Sequence, residues 1–242
     1  MTTFSIYFAD SVDMLVLRKY FESYTNRRVC RNIDEIEGID DVLEIKPRND
    51  AIAFSLRFGS EKNTKMMIKT EDGTCTDTDV VKVEFKEGFA IIKQHSDHLL
   101  ILVSNSPGSV ETLNIISYAL KEQNSRPIPT DIPEDGLEEL LRRQKSITGT
   151  KVEKNTRVSS MTLDGELVNR APDGMTDTCQ EYDEEKGPKI WVRYVTFEKK
   201  TMTIYRRNPV RITCNKMTYM DLEEYVTKNV VPLITWAYRE VR

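Results

Sequence analysis

The chain has only two histidines, His95 and His98, and they stand on either side of Ser96-Asp97. With Asp97 or the distant Cys75 they could ligate zinc. A zinc site needs three or four protein ligands, however, and no second pair occurs at metal-ligand spacing. Histidines beside a turn ordinarily face solvent, so neither a metal nor another cofactor is expected. The apolar run 99–103, followed by Ser104-Asn105-Ser106-Pro107-Gly108-Ser109, has the strand–loop–helix order of a phosphate-receiving turn. It holds one glycine and lacks the Lys-Ser/Thr ending of a P-loop, and helix capping accounts for its serines and proline. No Gly-x-Ser-x-Gly elbow is present, and no cysteine stands in a recognisable nucleophile context.

Charge carries the best signal. Between Lys186 and Lys216 there are nine basic residues and one acid, Glu198, giving +8 in a chain whose net charge is −4, so the remainder is −12. Residues 131–185 hold fourteen acids and seven bases. Segregation of this kind bears on partners rather than on fold. Strand alternation in 201–206 and 210–214 puts Met202, Ile204, Val210, Ile212 and Cys214 on one face, leaving Thr203, Tyr205, Arg207, Arg211 and Thr213 on the other. In the preceding strand Trp191, Arg193 and Phe197 alternate together. Arg193, Tyr205, Arg207 and Arg211 are therefore the candidate ligand-binding residues. Positive charge draws phosphate, and aromatic rings and guanidinium planes stack on bases. The competing reading is an ordinary solvated sheet face, neutralised by the acidic loop 170–187 folding over it. A protein partner is the remaining alternative.

The elements that must position these residues read as follows. A strand is expected over 4–8 and a helix over 11–24, with Val12, Leu15, Val16, Lys19 and Tyr20 at helical spacing and Asp10 or Ser11 as cap. Residues 27–41 read as a connection. Strands over 42–45 and 51–58 flank Pro47-Arg48-Asn49-Asp50, and Ile52, Phe54, Leu56 and Phe58 alternate with polar or small residues. Strands over 65–70 and 79–85 flank Asp72-Gly73. Lys86-Glu87-Gly88 turns the chain into 89–94, and Ser96-Asp97 turns it again into 99–103. Short turns of this kind imply an antiparallel sheet, since parallel strands need long crossovers. A helix follows, with Leu113, Ile116 and Leu120 inward.

Pro127, Pro129 and Pro133 predict an irregular connector over 124–134. A short helix over 137–145 carries Glu138–Arg142 and Glu139–Arg143 pairs. A hairpin over 157–163 and 166–169 is expected around Asp164-Gly165. Strands over 190–197, 201–206 and 210–214 lead to a helix from 219, capped by Thr218 or Asn215, with Leu222, Val226 and Val230 inward. Pro232 interrupts it, and 233–241 resumes. The expected fold class is α+β, with mainly antiparallel meander sheets and each half closing in a strand-strand-strand-helix unit. The division is an N-terminal domain (1–124), a connector (125–148) and a C-terminal domain (149–242).

Hydrophobic residues at 39% with 31% charged allow a real core and exclude a membrane-spanning composition. Residues 1–8 lack the basic region and apolar core of a signal peptide. Cys30, Cys75, Cys179 and Cys214 are accordingly expected as free thiols in a cytoplasmic or otherwise intracellular setting. The function expected is a non-enzymatic binding or assembly protein that uses the basic sheet to contact nucleic acid or another polyanion. The alternative is an enzyme whose carboxylate-based site is assembled only in space.

Overall fold

A computed structural model describes residues 1–25, 40–48, 51–153, 160–171, 175–184 and 187–236. The fold is broadly α+β, built on one large sheet in which every described strand pair is antiparallel. In chain order the elements begin with β1 (Thr2–Asp10), α1 (Met14–Thr25), β2 (Asp40–Arg48) and β3 (Ala51–Lys69). Next come β4 (Cys75–His95), β5 (His98–Ser104), α2 (Ser109–Lys121), β6 (Ile128–Asp131) and α3 (Glu134–Arg142). Then follow β7 (Ser146–Glu153), β8 (Ser160–Arg170), β9 (Thr176–Thr178), α4 (Gln180–Glu184), β10 (Lys189–Val195), β11 (Thr201–Tyr205) and β12 (Arg211–Cys214). The chain ends in α5 (Tyr219–Tyr225), a π turn (Val226–Val230), a 3-10 turn (Val231–Leu233) and β13 (Thr235–Trp236).

The sheet order is β2-β3-β4-β5-β1-β12-β11-β10-β7-β8-β9. Strand β1 is the junction. One of its edges pairs with β5, and the other is shared by β12 over Thr2 to Ser5 and by β6 over Tyr7 and Phe8. Residues 1–124 and 149–242 are thus joined by backbone hydrogen bonds through β1 and β12, not only by the chain between them.

Helices cover the sheet unevenly. On one face α1 and α2 pack over the first half, where Leu17, Phe21, Ile116 and Leu120 meet Ile52, Phe54, Leu56, Ile92, Leu99 and Ile101. On the opposite face α3, α5 and the π turn bring Leu137, Leu140, Leu141, Leu222 and Val226 onto Phe4, Ile6, Leu100, Val192, Tyr194, Met202, Ile204 and Ile212. The capping box of α5 is complete, with Thr218 and Asp221 exchanging bonds.

Several local expectations need correcting. The cap of α1 is Asp13, whose carboxylate accepts from the amides of Leu15 and Val16. Its buried stripe is Leu17 and Phe21, while Leu15 and Val16 are exposed. The segment offers two apolar stripes, and the one that wins stacks Phe21 on Phe54 with centroids 4.4 Å apart. Lys86-Glu87-Gly88 is not a turn: β3 and β4 are long, unbroken strands. Gly88 instead lets β4 pass beneath the start of α2. No serine caps α2, because Ser104 accepts from the Phe89 amide and contacts Ser106. Asp164-Gly165 lies inside β8, where a bulge and a Gly165 φ of 131° absorb the turn chemistry. The true partner of β8 is β7, which the sequence reading missed. Residues 128–131 form a strand rather than irregular chain: Ile128 and Pro129 pair with β1 although Pro129 has no N–H to donate, and Pro133 lies beyond the strand. Residues 235–236 pair with β6 instead of resuming the helix. The connection expected at 27–41 falls almost wholly outside the described residues, as do Cys30 and positions 237–241 of the helix expected over 233–241. Cys75, Cys179 and Cys214 are unpaired thiols.

Two phenols meet at the core beneath α5. The Tyr194 hydroxyl lies 3.0 Å from that of Tyr225. Burial raises Tyr194 well above the usual phenol value and pushes Tyr225 up to about 12. Both phenols stay protonated in the fold while the unfolded chain ionises near pH 10, so their contribution is complete below pH 10 and lost as pH rises towards 12. Urea unfolding at pH 8, 10 and 11 is expected to show stability falling across that window. The Tyr194→Phe/Tyr225→Phe double variant should fall less steeply; equal slopes would remove the pair as the cause.

Candidate nucleic-acid interface

The middle strands of the sheet place their side chains in cross-strand rows. Register aligns Lys151 of β7, Trp191 of β10, Tyr205 of β11, Arg211 of β12 and Ser5 of β1 in one row. A second row runs Gly149, Arg193, Thr203, Thr213 and Thr3. With strands about 4.8 Å apart, five of them span roughly 19 Å. Both rows lie on the side opposite α3 and α5 and outside the two apolar clusters; Thr3, Thr213 and Gly149 are buried, and the other residues of the rows are half-buried. No described helix lies over them.

The geometry within the face is specific. Arg211 sits over the Tyr205 ring, 4.8 Å from its centroid, and Arg193 over the Trp191 ring at 5.7 Å. The two rings are 6.5 Å apart. Arg193 also pairs with Asp164 at 3.2 Å. Gly149 makes the room: a Cβ there would come 3.3 Å from both Trp191 Cζ3 and Asp164 Oδ1. Thr3 and Thr213 join hydroxyls at 2.8 Å and close the second row. The face ends against Tyr7, which packs on the α1/α2 core. Burial raises the Tyr7 phenol, and the Arg211 charge opposes that rise. Among the described residues the face carries Lys151, Arg193 and Arg211 against Asp164 and, by alternation from Lys151 along β7, the exposed Glu153.

Of the four candidate residues, Arg193, Tyr205 and Arg211 are brought together and Arg207 is set apart. Strand β11 ends at Tyr205, so alternation no longer governs Arg207. It lies exposed at the β11–β12 turn, beside a cavity of about 560 Å³ that Asp131, Glu134 and Arg206 also line. Lys151, Gly149 and Asp164 were missed by sequence reasoning. Their place on the face follows from the β7–β10 and β7–β8 pairings, for which the sequence carries no local signal.

Part of the +8 stretch is consumed internally. Arg206 and Lys189 are buried and share Glu134, with Lys189 Nζ 3.2 Å away and its backbone amide also donating. Burial, then the neighbouring Arg207 charge, pulls the Arg206 guanidinium down. The described part of the acidic loop does not cover the candidate face. Cys179 and Tyr182 pack instead against the core beneath α3 and α5, on the other side of the sheet, and Tyr182 lies by Lys189.

Among the described residues the carboxyls whose titration is shifted stand at a turn and a helix cap. Asp72 is held down to about 2 by the Thr70 and Thr74 hydroxyls, and Asp221 is lowered by Thr218. Among the described residues no group of three His, Cys, Asp or Glu side chains could hold a metal. No helix among them is long and apolar enough to cross a membrane. Compared with protein families, curated proteins and solved structures, the chain matches none of them.

Proposed function

We propose that the chain is a non-enzymatic binding protein that holds single-stranded nucleic acid, or a polyanion of like chemistry, on the open face of β7, β10, β11 and β12. The observation that carries this reading is the row of Trp191 and Tyr205, each with a guanidinium stacked on it, on a sheet surface that no described helix covers. Bases stack on aromatic rings irrespective of sequence, and cations along the same surface neutralise phosphates. Single strands suit the surface better than duplex, whose bases are stacked away from a flat sheet.

Anisotropy of labelled single-stranded DNA and RNA at low and moderate salt tests the reading. Binding is expected to weaken steeply with salt. Arg193→Glu with Arg211→Glu should abolish it, whereas Arg207→Glu, off the face, should act much less. Tyr205→Ala is expected to cost about 1–3 kcal/mol, roughly 5- to 150-fold in Kd, if a base stacks there. Circular dichroism checks that each variant is folded. Absence of binding at tens of micromolar protein, or binding indifferent to the double charge reversal, overturns the proposal.

A further inference from the structure

Strands β3 and β4 run far beyond their neighbours. The last described pair of β2 with β3 is Asp40 with Phe58, and β5 leaves β4 at Ala90. From Gly59 with Phe85 to Lys69 with Cys75, eleven residue pairs continue as a two-stranded ribbon. At about 3.4 Å per residue it projects roughly 34 Å. Its tip is well formed: Gly73 takes a φ of 85°, and Asp72 gathers the hydroxyls of Thr70 and Thr74. Two-stranded ribbons are marginal in water by themselves, and their free edges invite pairing. This one also exposes apolar side chains, with Met67 at 72% and Val81 at 54% accessible.

Alternation assigns Asn63, Lys65, Met67 and Lys69 of β3 to one ribbon face together with Cys75, Asp77, Asp79 and Val81 of β4. Charge on that face is divided by strand, basic on β3 and acidic on β4. None of Lys65, Lys69, Asp77 and Asp79 forms an ion pair within the described residues. Such a face repels a polyanion, since Glu71 and Asp72 at the tip add to its acids. It complements itself instead. A two-fold axis along the ribbon lays β3 of one copy over β4 of the other, so by register Lys65 stands opposite Asp79 and Lys69 lies diagonal to Asp77, each contact made twice.

We infer that this ribbon face is a homodimer contact, and that the partner it fits is a second copy of the chain. The contact is at the small end of interface sizes, so the dimer forms with rising concentration rather than being permanent. Sedimentation equilibrium from 1 to 200 µM is expected to show monomer passing to dimer. Lys65→Glu with Lys69→Glu should leave the chain monomeric throughout, and so should Asp77→Lys with Asp79→Lys. Mixing these two variants should restore a dimer, because the all-acidic and all-basic ribbons then complement each other. All substituted side chains are exposed, and circular dichroism checks the fold. A wild-type chain that stays monomeric at 200 µM, variants that dimerise like wild type, or a mixture that fails to associate would each overturn the inference. The contact lies outside the nucleic-acid face, so oligonucleotide anisotropy reports on that face separately.

Discussion

Glu134→Ala is expected to destabilise the chain by about 2–3 kcal/mol, below the roughly 3–5 kcal/mol for breaking a fully buried ion pair, because Glu134 is itself 34% exposed. Glu134 holds two cations at once, Arg206 through its guanidinium and Lys189 through both ammonium and backbone amide. Their side chains are only 5% and 9% exposed, while Glu134 is 34% exposed, so water replaces the lost carboxylate only in part. Arg206 has no slack, since its buried Nε lacks a hydrogen-bond partner. The backbone around it is also structural: its amide bonds Ile190 and its carbonyl accepts from Ile132, tying β11 to β10 and to the start of α3. Glu138→Ala is the internal control. Glu138 reaches Lys189 at 3.8 Å but is half exposed, so its loss should cost under about 1 kcal/mol. Adding Arg206→Met to Glu134→Ala should recover part of the loss by removing one stranded charge. Urea midpoints measure all three. A Glu134→Ala cost no greater than that of Glu138→Ala would mean the cations are solvated after all.

Among the described glycines, Gly88→Ala should be the most damaging added methyl, at about 2–3 kcal/mol, the upper part of the range for overpacking. A Cβ at this position would stand 1.9 Å from Thr112 Oγ1 and 2.8 Å from the Gly108 carbonyl oxygen. Neither can retreat cheaply: Thr112 is buried and donates to Gly108, and Gly108 donates to the Glu87 carbonyl. The first turn of α2 must lift off β4, which opens the core around Ile115 and Ile116. Thermal denaturation and near-ultraviolet circular dichroism would follow this. Combining Gly88→Ala with Thr112→Ala removes the worse clash but not the carbonyl, so the double variant should regain only part of the loss. If Gly88→Ala were as stable as wild type, the packing of α2 on β4 would be looser than described.

What was legible in the sequence was local. Alternation in 201–205 and 211–214 places Tyr205 and Arg211 on one face because period-two geometry is a property of a strand in isolation. The Ser96-Asp97 and Asp72-Gly73 turns, the Thr218 cap and the inward positions Leu222, Val226 and Val230 follow from equally short-range chemistry. Turn chemistry misled where a neighbour overruled it. Lys86-Glu87-Gly88 has turn composition, but in the fold its glycine serves the close approach of α2. Asp164-Gly165 became a bulge because β7 supplies a longer ladder than a hairpin at that point could.

Which strands are neighbours was decided only in three dimensions. Pairing of β1 with β12 joins residues more than two hundred positions apart, and nothing local encodes it. That pairing and the one between β7 and β10 bring Lys151, Gly149 and Ser5 to Trp191, Tyr205 and Arg211. The sequence by itself determined that aromatic and basic side chains would alternate on single strands. The tertiary structure decided that Arg207 falls off the end of its strand, that Glu134 draws Arg206 and Lys189 inward, and that the described acidic segment packs on the far side. The physical reason is that a strand's faces are set by its own backbone, whereas its partners and covering layers depend on where distant apolar surface can be buried.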